Sequence, residues 1–403
     1  DAYVTAPLPD DEHESWRKIR LGGRGFHPQS YRLPVLNASA SAPAIQNPAG
    51  DAVQIHDFSA VLNGAAGPQC AQALTDHFAN LQSRIGAAMP SGGTTNQGVM
   101  TDLEPLNVFQ LQRLAGHANG TFVTTRDTVK NARAVQISHS APADSPEAAA
   151  CVTRTVIFAA PNAELTVLEE FRGDEASSET LWNTETYIIC GANARVNYVS
   201  SRHYEAGAAN FHRIESTQDR DARVHVSIAQ HGGSFGKSFV TGRLTAPGGE
   251  FRGIGLAAGS GTEYLDMEML AAHDADHTNS SLVYRTVVRD RSHSVFNGNL
   301  LIPPGRKHVD SHQTNNNILL NKRARAESMP KLIVKAEDVA AEHGATVGEL
   351  DADAIFFLMA RGLSESEARV MLIEGFLMQV IGEFPIEDLH ESLLGEWKAK
   401  LSL

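Results

Sequence analysis

Cysteine is scarce in this 403-residue chain: Cys70, Cys151 and Cys190 are widely spaced and odd in number. With no CxxC or CxH pair, neither a disulfide framework nor a self-contained zinc or cluster site is encoded, and a reducing compartment is the natural setting. Positive charge is also short. Lys and Arg total 34 against 47 Asp and Glu, a net charge of −13, which disfavours binding to nucleic acid or to an anionic membrane surface. Long apolar runs are missing too. The most apolar stretch, Val370 to Ile381, is broken by Glu374 and Gln379 and falls short of the roughly 18 residues of a membrane span. There is no GxSxG nucleophile elbow, no cysteine beside a histidine and no pair of carboxylates placed for acid–base work.

What is present divides the chain in three. Residues 1–118 read as a helical region with a loop-rich stretch at 37–67. Pro68 opens an amphipathic helix with Leu74, Phe78, Leu81 and Ile85 on one face, and a second helical pattern runs through Leu103, Leu106, Phe109 and Leu114. From residue 119 to 349 the period becomes two. Short alternating runs recur (Val152–Phe158, Leu165–Phe171, Tyr187–Cys190, Val196–Val199, Val224–Ile228, Phe239–Leu244), and helix-length segments between them are missing, which argues against a βαβ sheet. A weak echo recurs at Asn162, Asn193, Asp221 and Gly248, with spacings of 31, 28 and 27 residues. Short strands with such a repeat fit a solenoid or a sandwich equally well.

Helices return over 350–403. Asp351 caps the first and Gly362 ends it; Ser364 to Glu367 form a capping box opening the second. That second helix is apolar on two faces, Val370, Ile373, Leu377 and Val380 on one, Ala368, Met371, Leu372, Gly375 and Phe376 on the other, and both need cover. Where the sheet-like region meets the helices, His343-Gly344-Ala345-Thr346-Val347-Gly348 reads as a polar, glycine-bearing crossing with a histidine at the join.

Several motifs imitate sites. His231 to Ser238 resembles a phosphate-binding loop, but its first glycine is replaced by His231 and a strand-like run follows Lys237 where a helix is required. Gly253 and Gly255 lack the third glycine of a dinucleotide fingerprint. His273, Asp274, Asp276 and His277, with Asp266 and Glu268, have metal-ligand types, as do His308, Asp310 and His312. Residues two apart share a strand face, yet a structural or solvated role is favoured for both groups. Asn315 to Asn317 reads as an asparagine ladder at a turn.

The closing segment, HGATVGELD followed by ARGLSESEA, together with HTNSSLVYRTVV from His277 and VFNGNLLIPPGRKHVDSHQTNNNILL from Val295, resembles the SufB/SufD family of iron–sulfur cluster assembly scaffolds. The resemblance runs best from His277 to Phe376 and leans towards SufD, because Ala324 stands where SufB carries its cluster-building cysteine. It implies a mainly β fold, a right-handed parallel β-helix flanked by N-terminal and C-terminal helical domains. It further implies a non-enzymatic subunit in the cytoplasm or plastid stroma. Such a subunit would pair with a SufB-like partner through the β-helix and dock a SufC-like ATPase through helices bearing Phe356, Met359, Val370, Ile373 and Leu377. His343 maps onto the family's histidine, a candidate ligand for a transient iron–sulfur cluster shared with the SufB-like partner. Ala341 stands where many SufD chains have a cysteine, so sulfur ligands would come from the partner and the isolated chain would hold no cluster. A homodimer of the isolated chain stays open, as do two other functions: a β-helix carbohydrate-active enzyme, and a SufB-like homodimeric scaffold.

Overall fold

The computed structural model describes residues 43–48, 52–57, 120–125, 129–130, 133–141, 149–173 and 180–401. The expected helices over 68–85 and 103–114 lie outside them. Strands come first: β1 (Ala44–Gln46), β2 (Val53–Asp57), β3 (Gly120–Thr125), β4 (Val135–Ser140), β5 (Ala149–Ala159) and β6 (Glu164–Arg172). They continue as β7 (Thr180–Cys190), β8 (Arg195–Tyr204), β9 (Ala209–Gln218), β10 (Arg223–Gly232), β11 (Phe235–Leu244) and β12 (Glu250–Gly259). The last are β13 (Tyr264–His273), β14 (Asn279–Val288), β15 (His293–Ile302), β16 (Lys307–Leu319), β17 (Arg325–Val334) and β18 (Asp338–Gly348). Three helices follow, α1 (Ala352–Met359), α2 (Glu365–Ile381) and α3 (Asp388–Leu401).

Strands alternate between two nine-stranded sheets, one ordered β1-β4-β6-β8-β10-β12-β14-β16-β18 and the other β17-β15-β13-β11-β9-β7-β5-β3-β2. From β3 onward every pairing is parallel, each strand joining the one two places on. This is a parallel β-solenoid with two strands per coil. Its lumen is lined from both sheets, by Val196, Val224 and Val226 from one and Ile188, Ile214 and Val240 from the other, all at most 2% exposed. A fully buried side chain of this kind contributes roughly 1.5–3 kcal/mol, and stacking makes the core continuous.

The echo of Asn162, Asn193, Asp221 and Gly248 is a column of corners. Each has a positive φ, 63°, 57°, 56° and 78°, and His277 and His308 continue it at 56° and 55°. The amide of each bonds to the next coil, Asn162 N to Ala192 O at 2.9 Å, Asn193 N to Arg220 O at 2.8 Å and Asp221 N to Pro247 O at 3.0 Å. Asn, Asp and Gly recur because they tolerate the left-handed conformation.

The 37–67 stretch differs from its loop reading, because β1 and β2 pair antiparallel with β4 and β3. Alternation in Val53-Gln54-Ile55 was short and flanked by turn residues. The helices α2 and α3 lie on the outer face of the first sheet. Ile373, Leu377, Val380 and Trp397 there join Leu168, Val199, Ile254 and Val287 in one apolar cluster. Ion pairs fasten them, Arg252 with Glu383 and Lys400 with Glu263 at 2.7 Å, and the His203 ring, whose pKa burial lowers, lies 3.2 Å from Glu396.

Candidate functional site

The solenoid ends on β17 and β18, which are edge strands of their sheets. On β16 the lumen-facing residues Val309, Ser311, Gln313, Asn315 and Asn317 are at most 4% exposed. Parallel register pairs Gln313 with His343 and Asn317 with Val347, so His343 and Val347 point to the lumen side of the last coil. On β17, Leu332 and Val334 pair with Leu300 and Ile302 and share their face. Among the described residues nothing stacks beyond them, and Leu332, Val334 and Val347 are 37%, 37% and 45% exposed. The terminal coil is a mouth with an apolar rim, and His343 stands exposed on its wall beside Ala341 and Ala345.

His343 therefore lies within a strand, not at a crossing into a helix. The glycines at 344 and 348 suggested a break, but on an edge strand a run of small residues still pairs along its length with β16. Thiolates are absent from its surroundings among the described residues. Ala341 is its neighbour but one, and Ala324 is 5% exposed, its amide held by Asn321 Oδ1 at 3.1 Å. Cys151 and Cys190 are buried, and burial pushes both thiols up to about 12, which makes them poor nucleophiles and ligands. Cys70 lies outside the described residues.

The five helix residues expected to dock a partner separate into two groups. Phe356 and Met359 on α1 are 71% and 42% exposed, and Val370 is half-buried. Ile373 and Leu377, at 1% and 0%, correct that expectation. They are the face that seats α2 on the chain's own sheet. The helix α1, capped by the Asp351 side chain on the amides of Asp353 and Ala354, buries none of its residues. Its Phe357 and, on α2, Met371 and Met378 extend the exposed apolar surface. Ile318, Leu350, Met371, Leu372 and Phe376 line an apolar groove beside it. The capping box of α2 forms as read, with Ser364 and Glu367 bonded reciprocally.

The motifs that imitate sites have structural roles. In the phosphate-loop look-alike, Gly232 and Gly233 turn a corner at φ 80° and 81°. Lys237 is fully buried on the outer face of the second sheet, 2.9 Å from Asp266 and 3.2 Å from Glu268. Burial alone would lower its pKa, but the two carboxylates outweigh it and raise it; burial lifts Asp266 to about 6. His273 is 0% exposed and bonded to Thr278 at 2.8 Å and Ser280 at 3.0 Å, its pKa lowered by burial to about 4. His277 and His308 sit at corners with rings stacked 4.6 Å apart. His308 therefore leaves the face shared by Asp310 and His312, which meet at 2.8 Å. Among the described residues no three His, Cys, Asp or Glu side chains are grouped to hold a metal. The asparagine run corrects its reading. It lies within β16, not at a turn, and aligns with Tyr284 to Thr286 and Ala345 to Val347, so no asparagine stacks on another between coils. Asn317 bonds Asn315 at 2.8 Å within the strand and Thr286 at 2.6 Å.

Sequence reading missed a polar stretch of the lumen. Glu169, 1% exposed, accepts from Thr155 at 2.6 Å, Tyr198 at 2.6 Å and Thr186 at 3.0 Å and lies 2.8 Å from His139. Burial raises its pKa, yet the bonds and the nearby His139 win and lower it. One coil on, Arg202 is 0% exposed. Their only sequence signal was a charge at an inward position of an alternating strand.

Among known proteins, the family model for SUF system FeS cluster assembly, SufBD core domain, matches residues 141–376. The iron–sulfur cluster assembly protein SufD of Bacillus subtilis is 25% identical over 255 residues, 62% of this chain and 58% of that protein. SufD of Escherichia coli is 28% identical over 236 residues, 58% of this chain and 55% of that protein. The chain thus spans little more than half the length of these relatives. A SufBD family protein of Mycobacterium leprae is 23% identical over 357 residues, 87% of this chain and 86% of that protein.

Proposed function

The chain belongs to the SufBD core family of the SUF iron–sulfur cluster assembly system, and from that premise we propose that it is a non-catalytic scaffold subunit lending His343 to a shared cluster site. Its named relatives are assembly proteins. The observation that carries the reading is the open last coil, with unpaired strand edges on both sheets and an exposed rim of Leu332, Val334 and Val347. A SufB-like solenoid stacked end to end would extend both sheets and cover that rim, because an open strand edge is a template for another strand. His343 then lies inside the joint. A neutral imidazole is a good nitrogen ligand for iron, and with Ala341 and Ala324 nearby the sulfur ligands come from the partner.

The cluster is cargo, assembled in the joint and passed on. A SufC-like ATPase docks on the exposed Phe356 and Met359 and the adjoining groove, while Ile373 and Leu377 hold α2 rigid beneath it. The described helices include none long and apolar enough to cross a membrane.

Co-expression with SufB-like and SufC-like subunits, followed by size-exclusion chromatography, tests the reading. A heteromeric complex is expected; a chain that elutes alone, or only as a homodimer, overturns it. In the complex, His343→Ala leaves assembly intact and lowers the iron and sulfide retained. Unchanged cluster content removes His343 from the site.

A further inference from the structure

Ser311, Gln313, Asn315 and Asn317 are the buried polar residues on the inward face of β16, and three of them are bonded. Ser311 meets Ser280 at 2.5 Å and His273 at 3.3 Å. Asn315 donates to Tyr284 O at 3.0 Å; Asn317 accepts from Thr286 at 2.6 Å and donates to Asn315 at 2.8 Å. Gln313 is the exception. It is 2% exposed, and neither its Oε1 nor its Nε2 has a hydrogen-bond partner. A buried carboxamide left unfilled on both atoms costs stability, so its presence needs a reason beyond the fold of the isolated chain.

Its place in the stack supplies one. Val226, Gly253, Leu282, Gln313 and His343 follow one another in register on the first sheet. From Val226 to Leu282 the row carries no polar side chain, and it turns polar at Gln313, directly beneath His343. Paired positions on adjacent strands lie about 4.8 Å apart, which puts an imidazole within reach of a flexible carboxamide. In the isolated chain the Gln313 side chain instead crosses the lumen, where a Cβ on Gly298 would lie 2.1 Å from its Oε1. That crossing is open only because residue 298 is glycine, and it gives the carboxamide no partner. Ser328 Oγ, on the opposite wall, is also unfilled. It is aligned with Phe296, however, two residues away from the Gly298 row.

A neutral imidazole coordinates a metal through one nitrogen while the other keeps its proton, and the acceptor of that N–H decides which nitrogen is presented. Once a partner covers the rim, water can no longer be that acceptor, and the chain must supply one. We propose that Gln313 is the positioning residue of His343: its Oε1 accepts the ring N–H and holds the other nitrogen toward the shared cluster. This rests on the shared-cluster reading of His343 and extends it by one residue. The carboxamide stays unfilled in the free chain and gains its bond in the joint.

In the complex with SufB-like and SufC-like subunits, Gln313→Met keeps the side-chain volume and removes the acceptor. It is expected to leave complex formation intact. A chelator should then strip iron from the complex about 10-fold faster, the scale of a lost outer-shell partner. Gln313→Glu keeps an acceptor of the same size and is expected to restore the wild-type rate; a Glu variant that behaves like Met overturns the proposal. With isotope-labelled histidine in this chain alone, pulsed electron paramagnetic resonance reads the nitrogen coupling to the reduced cluster. That coupling is expected to change in Gln313→Met and to vanish in His343→Ala. The thermal midpoint of the isolated Gln313→Met chain is expected to equal or exceed that of the wild type. A clearly lower midpoint shows a bond already made in the fold and overturns the proposal. Stripping and coupling that respond to His343→Ala but not to Gln313→Met overturn it and leave the His343 reading standing. If His343→Ala changes neither, the shared-cluster reading falls and Gln313 with it.

Discussion

The last coil and the coils before it share one architecture and differ in what covers them. Leu300 and Ile302 are 0% exposed, while Leu332 and Val334, their register neighbours one coil on, are 37% exposed. The same step separates Asn317 at 4% from Val347 at 45%. Side-chain type does not explain this, because both members of the first two pairs are apolar and in the third the apolar Val347 is the exposed one. The missing neighbour does: in a solenoid every coil is buried by the next, and among the described residues none covers the final one. The apolar rim is thus a consequence of the fold's periodicity, kept unfinished at the end that bears His343.

The largest test of that contrast compares two apolar deletions. Phe251, 0% exposed in mid-solenoid and packed against Gly242, where a Cβ would lie 2.2 Å from its ring, should cost about 3–5 kcal/mol on truncation to Ala in urea unfolding. Leu332→Ala should cost the isolated chain less than about 1 kcal/mol. Equal losses would mean that the end is as enclosed as the middle. Next in size is a pH effect confined to the interior. His273 has a folded pKa of about 4, depressed from 6.5. The unfolded chain therefore binds the extra proton between these values, so the contribution of neutral His273 is complete above pH 6.5 and is lost as pH falls towards 4. The loss is on the order of 3 kcal/mol, and His273→Asn should flatten that part of the stability–pH curve. A slope unchanged by the substitution would show that His273 is not held neutral in the fold.

These contrasts mark how far the sequence could be read. The corner column was visible as an echo at Asn162, Asn193, Asp221 and Gly248, since a left-handed turn restricts residue type at a fixed place in each coil. Alternation exposed the strands, and the Ser364 to Glu367 capping box needed only four adjacent residues. Partnerships between coils were not visible. Lys237 meets Asp266 29 residues away and His139 meets Glu169 30 residues away, and coil lengths vary from 27 to 31, so register has to be known before the pairs can be named. His343 was found by resemblance, but its place within β18 was hidden by the glycines around it. The two faces of α2 were visible, but whether the sheet or a partner covers Ile373 and Leu377 is decided by tertiary packing alone.

A third test breaks the comparison from the outside. Leu332→Asp with Val347→Asp places charge on the rim. It should leave the thermal midpoint of the isolated chain almost unchanged and weaken end-to-end pairing with a SufB-like partner by at least about 100-fold in a binding titration. Undiminished binding would move the pairing surface away from the last coil.

The smallest expected effect concerns the corners, which are equivalent along the whole stack. Asn193 holds φ at 57° and donates its amide to Arg220 O at 2.8 Å. The bond uses only backbone, so the side chain matters through its tolerance of the left-handed region. Ala meets the steric penalty that Asn partly escapes, and Asn193→Ala should cost about 1 kcal/mol in urea unfolding. Asn193→Gly removes the penalty at the expense of a more flexible unfolded chain, and should fall within a few tenths of a kcal/mol of the wild type. If Gly is as damaging as Ala, the Asn193 side chain has a contact of its own, and the column is held by side chains instead of by backbone handedness.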